Sequence, residues 1–196
     1  MNTFDGIEER IMLNMRVIAG TARSLPLKTV EGLETRPTTD RIKETLFNMI
    51  NFNLPGSIFI DLFSGSGGIG IEALSRGASK CYFVENNKNA LSCIQDNLTF
   101  TKMDKKAIVI KQDAVAALRS IHETEVDTIF MDPPYNNEHE KRALEVLKDM
   151  PYVTENTLII VEASLDTDFA YVTAYDFAIS KEKIYKTNKH VFIKRA

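Results

Sequence analysis

The sequence predicts an α/β fold in which a mostly parallel sheet is covered by helices on both faces. From Ser57 onward, short apolar runs alternate with longer amphipathic stretches, and this βαβα order is typical of parallel sheets. A glycine-rich turn follows the first apolar run, and the chain ends in two strand-like runs around the polar turn "KTNK". We therefore expect a parallel sheet that is extended by a terminal antiparallel hairpin.

The individual elements follow from the spacing of apolar residues. Short apolar-rich runs that are bounded by polar segments are typical of buried strands. The predicted strands are 58–62, 81–85, 108–111, 126–131 and 158–161, the predicted helices between them are 68–76, 88–100, 114–121 and 138–149, and the hairpin strands are 177–185 and 190–194.

The region before the sheet predicts a small hairpin-helix extension. Residues 15–30 alternate enough for a short hairpin, and Pro37 then precedes residues that suit the start of a helix, which are Thr38, Thr39 and Asp40. After this start, apolar residues recur at helical spacing, at Ile42, Leu46, Met49 and Ile50. Residues 1–14 show little periodicity, so we expect a leader or a disordered extension there.

The size and composition fit one ordinary domain, with 196 residues of which 44% are hydrophobic. We expect a single domain over 15–196, with the hairpin and helix in 15–52 and a Rossmann-like core in 53–196. Because the sequence contains neither a long apolar run nor a signal-peptide pattern, we expect a soluble, cytoplasmic protein that makes no membrane contact. Cys81 and Cys93 lack a CxxC or Cys/His pattern, which predicts reduced thiols and no metal site.

The charge of the chain is unevenly distributed. The net charge of -3 and the pI near 5.7 argue at first against a nucleic-acid partner. Residues 16–43, however, hold six basic and three acidic residues, and residues 181–196 hold six basic residues and one acidic residue. Basic flanks on an acidic body fit either a nucleic-acid surface or an ordinary solvated surface.

The glycine-rich turn has more than one interpretation. Residues 65–70, "GSGGIG", satisfy the pattern G-x-G-x-x-G after a predicted strand, and Glu85 ends the next strand 20 residues after Gly65. This spacing is typical of a nicotinamide or flavin dinucleotide site. A glycine turn lets a ligand approach the backbone but does not specify the ligand, so S-adenosylmethionine and a purely structural turn fit it as well.

Acidic residues at successive strand ends favour S-adenosylmethionine. Asp61, at the end of the first strand, would repel a pyrophosphate but suits a cationic amino group. Glu85 suits the two ribose hydroxyls, and Asp113 at the end of the third strand suits an adenine amine. Taken singly, Glu85 and Asp113 could equally be helix N-caps, so only their placement at neighbouring strand ends is informative.

The segment "FMDPPY" closes the fourth predicted strand. Its two prolines fix φ and remove two backbone donors, so the segment leaves the sheet as a rigid rim of acceptors. The Asp132 carboxylate and the Pro133 carbonyl can together receive both protons of one planar amine, which favours a tetrahedral nitrogen with its lone pair aimed at an electrophilic methyl. Tyr135 can stack on the base. The alternative is a rigid turn with no chemical role.

Five segments, in order along the chain, carry a resemblance to a known family. They are "MRVIAG", "RPTTDRIKETLFN", "IDLFSGSGGIGIEALSRGA", "FVENN" and "IFMDPPY". From Met15 to the C-terminus, the chain resembles the bacterial ribosomal RNA guanine-N2 methyltransferases of the D type, which act on 16S RNA of the small subunit. The segment "RPTTDRIKETLFN" is much more specific than "DPPY", which DNA adenine methyltransferases share.

The resemblance implies a class I S-adenosylmethionine-dependent methyltransferase fold, which is Rossmann-like. It implies that S-adenosylmethionine is held by Asp61, Phe63, Gly65, Ser66, Gly67, Glu85, Asn86, Asp113 and Ala114. It also implies that three residues position the guanine amine for catalysis, namely Asp132, Pro133 and Tyr135.

The resemblance further implies an RNA partner. Enzymes of this family modify one guanine in 16S rRNA and favour RNA that already carries ribosomal proteins, so we expect a monomer that meets an assembling or assembled small subunit. Because phosphate contacts need only a local basic surface, we expect them at Arg16, Arg23, Arg36, Arg41, Lys186 and Lys189. The chain departs from the family in one turn, where a tyrosine-glycine pair is expected and residues 185–189 read "YKTNK".

Three other functions compete with this one. An adenine amine in DNA is an alternative substrate, although so short a chain leaves no room for a sizeable target-recognition domain. A nucleotide-binding oxidoreductase would use the same glycine turn. A non-catalytic RNA-binding module could keep the fold, but it would have no evident use for an intact "DPPY" rim.

Overall fold

The computed structural model describes residues 15–30, 40–135 and 137–196. Its centre is a seven-stranded sheet in the order β3-β2-β1-β4-β5-β7-β6. The strands β1 to β5 pair in parallel, whereas β7 is antiparallel to both β5 and β6. The strands are β1 Ile58–Leu62, β2 Lys80–Val84, β3 Ala107–Ile110, β4 Thr128–Met131, β5 Leu158–Ser164, β6 Phe177–Ile184 and β7 Asn188–Arg195.

In the part of the chain that the structure describes, one helix precedes the sheet, and four more connect the parallel strands, as the alternating sequence pattern predicts. They are α1 Asp40–Ile50, α2 Gly68–Ser75, α3 Lys88–Thr101, α4 Ala114–Ser120 and α5 His139–Leu147. Most predicted boundaries hold within one or two residues, but β5 continues three residues beyond the predicted end at Val161. Among the described residues, none of the helices combines the length and the apolar character that a membrane span needs.

Each face of the sheet packs against its own set of helices, because successive strand residues point to opposite sides. One hydrophobic cluster joins Ile60 and Met131 to α4 and α5. The other cluster joins Phe59 and Phe130 to α1, α2 and α3. The predicted mostly parallel sheet with helices on both faces is therefore confirmed.

The helix α1 buries a different face from the one that the apolar spacing suggests. Its fully buried residues are Lys43, Leu46, Phe47 and Ile50, while Ile42 and Met49 are half-buried. Lys43 is tolerated in this position because its ammonium donates to the carbonyl of Arg16 at 2.5 Å and lies 3.7 Å from the Glu72 carboxylate. The predicted helix start at Pro37, Thr38 and Thr39 lies outside the described residues.

Residues 15–30 form the predicted hairpin in a minimal form. A single antiparallel bridge joins Arg16 to Pro26, and the amide of Val17 donates to the carbonyl of Leu25 at 3.0 Å. The segment docks on α2, where the Glu72 carboxylate accepts hydrogen bonds from the amides of Ile18 and Ala19 at 2.7 and 3.0 Å. This contact ties the N-terminal segment to the helix that follows the glycine turn.

The helix α2 lies unusually close to the sheet at Gly70. A Cβ atom on Gly70 would lie 2.3 Å from Cε1 of Phe83 and 2.8 Å from Sγ of Cys81, so only glycine fits there. The amide of Gly70 donates to the Asp61 carboxylate at 2.9 Å. The close approach thus joins the start of α2 to the end of β1.

We predict that Gly70→Ala destabilises the fold by about 1–3 kcal/mol, because the added methyl group overpacks the space in front of Phe83. Urea unfolding of both proteins measures the difference. Phe83→Leu vacates part of this space, so the double variant should lose less stability than the sum of the two single variants. Additive losses would show that the methyl group does not meet the Phe83 ring.

Candidate active site

The carboxyl ends of β1, β2 and β4 lie side by side at one edge of the sheet. Leu62 pairs with Val84 on one side and with Met131 on the other. The residues that follow these three are Phe63, Glu85 and Asp132, which the parallel register therefore places at the same level. Because β1 is flanked by β2 and β4, the chain crosses over in opposite directions from it, and ligand crevices in open α/β sheets form at such a point.

The glycine turn is held against β2 by hydrogen bonds. The amides of Phe63 and Ser64 donate to the carbonyl of Val84 at 3.1 and 3.0 Å, and the Ser64 hydroxyl donates to the carbonyl of Asp61 at 2.6 Å. Phe63 has a φ of 86°, which is uncommon for a bulky residue and is typical of functional sites. Its ring lies 5.9 Å from that of His139, the first residue of α5. The turn is therefore fixed in shape.

The turn leaves open space beside its backbone. Gly65 and Gly67 both have positive φ values, of 53° and 82°. No atom of the described residues lies within 4 Å of the place where a Cβ atom on Gly65 would stand. A ligand can therefore approach this backbone closely.

Glu85 joins the glycine turn to the start of α3. Its carboxylate accepts hydrogen bonds from the amides of Gly65, Asn86 and Asn87 at 2.8–2.9 Å. A carboxylate offers about four acceptor sites, so capacity for a ligand hydroxyl remains. The N-cap of α3 is Asn87, so the N-cap alternative for Glu85 is wrong.

Asp113 has the structural role that its sequence position also allowed. Its Oδ1 accepts a hydrogen bond from the amide of Ala116 at 3.1 Å, which caps α4 at its N-terminus. The side chain is exposed, and Ala114 is the first residue of the helix. The cap uses one oxygen, so Oδ2 can still accept a hydrogen bond from a ligand.

Asp61 is buried at the end of β1, with 2% of its surface exposed. Burial raises the pKa of its carboxyl to about 7, the hydrogen bond from Gly70 opposes this rise, and the charge of Glu85 adds to it. A cation beside Asp61 would stabilise the ionised form. The site therefore suits a ligand that carries a positive charge.

The rim segment begins directly after β4. Asp132 is half-buried, Pro133 is buried, and 40% of the surface of Tyr135 is exposed. Burial raises the pKa of the Asp132 carboxyl well above its ordinary value, and the charges of Glu162 and then of Asp61 raise it further. Perturbed carboxyl groups of this kind cluster at functional sites.

A buried polar group on β5 and β7 was missed by the sequence analysis. Glu162 accepts a hydrogen bond from Nε2 of His190 at 3.0 Å and another from the Asn188 side-chain amide. The predicted strand ended at Val161, one residue before Glu162, although a carboxylate inside the run "LIIVEAS" signals a strand end at the same edge of the sheet. Within the described ranges, no cluster of three or more His, Cys, Asp or Glu side chains could hold a metal ion.

The predicted RNA-contacting residues differ in how accessible they are. Arg23, Arg41 and Lys186 are exposed, and Arg16 is exposed but paired with Asp40 at 2.8 Å. Only 12% of the Lys189 side chain is exposed, because it is paired with Glu182 and lies 5.5 Å above the Phe169 ring. Arg36 lies outside the described residues.

Comparison with known proteins decides the family. A family model described as Conserved hypothetical protein 95 matches residues 15–194. The chain belongs to this family. It is 38% identical over 173 residues to a candidate rRNA methyltransferase of Bacillus subtilis. The aligned region covers 87% of this chain and 94% of that protein. It is 36% identical to "Ribosomal RNA small subunit methyltransferase D" of Haemophilus influenzae, over 86% of this chain and 88% of that protein.

Solved structures confirm the fold. A structure described as a candidate methyltransferase from Escherichia coli matches with a TM-score of 0.81 and 30% identity, over 92% of this chain and 97% of that one. A methylase candidate from Haemophilus influenzae matches with a TM-score of 0.77 and 31% identity, over 92% and 98%. The sheet described above is therefore that of a class I, Rossmann-like methyltransferase, as predicted.

We predict that Asp61→Asn stabilises the folded protein at high pH. An ordinary aspartate has a pKa of about 3.9, so between that value and about 7 the folded state binds more protons at Asp61 than the unfolded state does. Stability contributed by the wild-type group is therefore lost as the pH rises through this window. The neutral amide avoids that loss and keeps an oxygen for the Gly70 amide.

The free energy of unfolding in urea should favour Asp61→Asn by on the order of 4 kcal/mol at about pH 8, and the difference should vanish near pH 4. Asp127→Asn is the matched control, since Asp127 also accepts an amide hydrogen bond, from Ile58, but is only half-buried. A difference that is independent of pH would show that the charge of Asp61 is not its cause.

Proposed function

We propose that the protein transfers a methyl group from S-adenosylmethionine to the exocyclic N2 amine of one guanine in 16S rRNA of the small ribosomal subunit. The observation that carries this proposal is that the carboxyl ends of β2, β1 and β4 lie side by side. A nucleoside-suited carboxylate, Glu85, lies on one side of β1 and the acceptor rim at Asp132 lies on the other. Membership of a family whose curated relatives are named small-subunit rRNA methyltransferases supports the substrate class.

The residues around the glycine turn fit the donor. S-adenosylmethionine supplies an electrophilic methyl group on a positively charged sulfur. The open backbone at Gly65 admits its nucleoside, and the remaining acceptor capacity of Glu85 suits its ribose hydroxyls. Asp61 suits its ammonium group, and Asp113 suits its adenine amine. The other proposed contacts are Phe63, Ser66, Asn86 and Ala114.

The rim would hold the target amine. The Asp132 carboxylate and the Pro133 carbonyl each accept a hydrogen bond from one N–H of the planar amine, which aims the nitrogen lone pair at the methyl group. The nitrogen–carbon bond forms while the carbon–sulfur bond breaks, and the electron pair of that bond stays on sulfur. The methylated nitrogen then loses one proton to the Asp132 carboxylate. Tyr135, whose ring is partly exposed, stacks on the base.

The RNA contacts would come from two places near these strand ends. Lys186 lies in the turn before β7. Asn188, the first residue of β7, pairs with Ser164 at the carboxyl end of β5. The N-terminal segment reaches the glycine turn itself, where the Ser66 hydroxyl donates to the sulfur of Met15 at 3.3 Å. Exposed Arg16, Arg23 and Arg41 follow in this segment and in α1. We propose that the protein acts as a monomer on the subunit.

We predict that Asp132→Asn lowers methyl transfer by about 100-fold or more, because one acceptor of the amine is replaced by a group that also donates. Donor affinity should stay within a few fold of that of the wild type, since Asp132 acts on the amine. The exposed Asp149 provides the matched control, Asp149→Asn, which should change neither quantity. A parallel loss of donor affinity with an intact fold would assign Asp132 to the donor site.

The substrate is tested with labelled donor and three acceptors, which are small subunits from cells that lack the enzyme, deproteinised 16S RNA and unmethylated duplex DNA. Nuclease digestion then identifies the modified base. N2-methylguanine in a ribosomal sample is the expected product. N6-methyladenine in the DNA would contradict the substrate, and failure of calorimetry to detect donor binding would contradict the cofactor.

We predict that Glu85→Ala weakens donor binding by about 1.5–3 kcal/mol, the value of a hydrogen bond to a charged group. The loss also leaves the Gly65 amide without its acceptor, so the glycine turn should loosen. Isothermal calorimetry measures the affinity, and Glu125→Ala serves as the control because that carboxylate bonds only to distant Thr154 and Asn156. Unchanged affinity would limit Glu85 to a structural role.

A further inference from the structure

The proposed reaction leaves one buried polar cluster without a role. It consists of Glu162, His190, Asn188 and Tyr185 at the β5, β6 and β7 end of the sheet. Glu162 is 5% exposed and His190 is fully buried. Burying such groups costs free energy unless they are well paired, so their presence beside the rim needs a cause.

Hydrogen bonds hold this cluster in a fixed arrangement. Nε2 of His190 lies 3.0 Å from one oxygen of Glu162, and its Nδ1 lies 3.3 Å from the Tyr185 hydroxyl. Burial and then the charge of Glu162 raise the pKa of Tyr185 to about 12. The side-chain amide of Asn188 donates to the second oxygen of Glu162. Both oxygens of this carboxylate are therefore held in place.

Strand register places this carboxylate next to Asp132. Met131 pairs with Val161 in the parallel ladder, so the next residues on the two strands, Asp132 and Glu162, are neighbours. Asp132 comes two residues after Phe130, and Glu162 comes two residues after Ile160. Phe130 and Ile160 belong to the same hydrophobic cluster, and residues two apart on a strand point to the same face, so both carboxylates point to that face of the sheet. Asp61 follows Phe59 in the same way on β1. Three carboxylates thus line one face at the ends of three adjacent strands.

We infer that Glu162 is a positioning residue, whose fixed negative charge makes the ionisation of Asp132 depend on the cationic methyl donor. This inference rests on the proposed function. The acidic groups that face Asp132 are Glu162 from β5 and Asp61 from β1, and the charges of these two residues raise the pKa of Asp132. Glu85 lies behind Asp61. His190 lies behind Glu162 and contacts its carboxylate.

Binding of the donor places a positive charge against these carboxylates, so both Asp61 and Asp132 release protons to solvent. Asp132 thereby becomes an acceptor for the amine. After transfer, the sulfur of the product is neutral. The carboxylates then hold the product less tightly than the donor, which favours its release. The rim therefore accepts hydrogen bonds from the amine only while the methyl donor is bound.

Proton release on donor binding tests this inference without any RNA. Calorimetry in two buffers of different ionisation enthalpy gives the number of protons released between pH 6 and 8. The wild type should release protons with S-adenosylmethionine and fewer with S-adenosylhomocysteine, and Asp132→Asn should release fewer with either ligand. Glu162→Gln should move proton release to lower pH and shift the acid limb of the pH-rate profile to lower pH as well. It should also lower, several fold, the ratio of the affinity for S-adenosylmethionine to that for S-adenosylhomocysteine.

Two controls separate this role from a merely structural one. Glu162→Asp keeps the charge and should retain proton release, and the remote Glu125→Gln should match the wild type. Carbon-13 NMR of the wild-type carboxyl groups needs no variant, and the Asp132 signal should titrate at lower pH once the donor is bound. Proton release that is unchanged in Glu162→Gln, or an Asp132 titration that the donor does not move, would overturn the inference. Failure of the wild type to bind the donor would instead overturn the proposed function.

Discussion

The close contact between α2 and the sheet at Gly70 is the constraint on which the site depends. No Cβ atom fits between this residue and Phe83, and its amide is held by the carboxylate of Asp61. The first turn of α2 is therefore pinned to the end of β1, and the glycine turn between them has one available path. A helix that lay farther from the sheet would carry Gly65 and Gly67 away from Glu85, which holds the turn from β2.

The opposite side of α2 holds the N-terminal segment in place through hydrogen bonds. Glu72 is fully buried and accepts hydrogen bonds from the amides of Ile18 and Ala19 and from Nε of Arg76 at 2.7 Å, with the Lys43 ammonium nearby. Breaking a buried pair of this kind is costly, because it leaves an uncompensated charge. The segment proposed to contact RNA is therefore joined to the helix beside the proposed donor site, so both proposed binding surfaces share one framework.

The sequence predicted the features that depend on local spacing. The alternation of strands and helices, the glycine turn and the acidic strand ends follow from residues that are close along the chain, and the structure has the predicted elements. Lys43, His190 and Glu162 could not be predicted to be buried. The contacts Lys43–Arg16, His190–Glu162 and Lys43–Glu72 join residues 27–29 positions apart, which are brought near only by the sheet and the docked N-terminal segment. The same reason explains Lys189, whose basic character suggested a phosphate contact but whose side chain is covered by Phe169 and Glu182.

Acidic and basic residues lie on different parts of the protein, and this separation affects how a base could reach the rim. Asp61, Asp132 and Glu162 make the active edge acidic, which favours a cationic donor but repels phosphate groups. The exposed basic residues, such as Arg23 and Lys186, lie outside this edge. Under the proposed function, an RNA backbone would stay at the basic flanks while a single uncharged base extends inward to Asp132. Enzymes that act on a base take it out of its stack for the same steric reason, and here repulsion between the acidic edge and the backbone would add to that requirement.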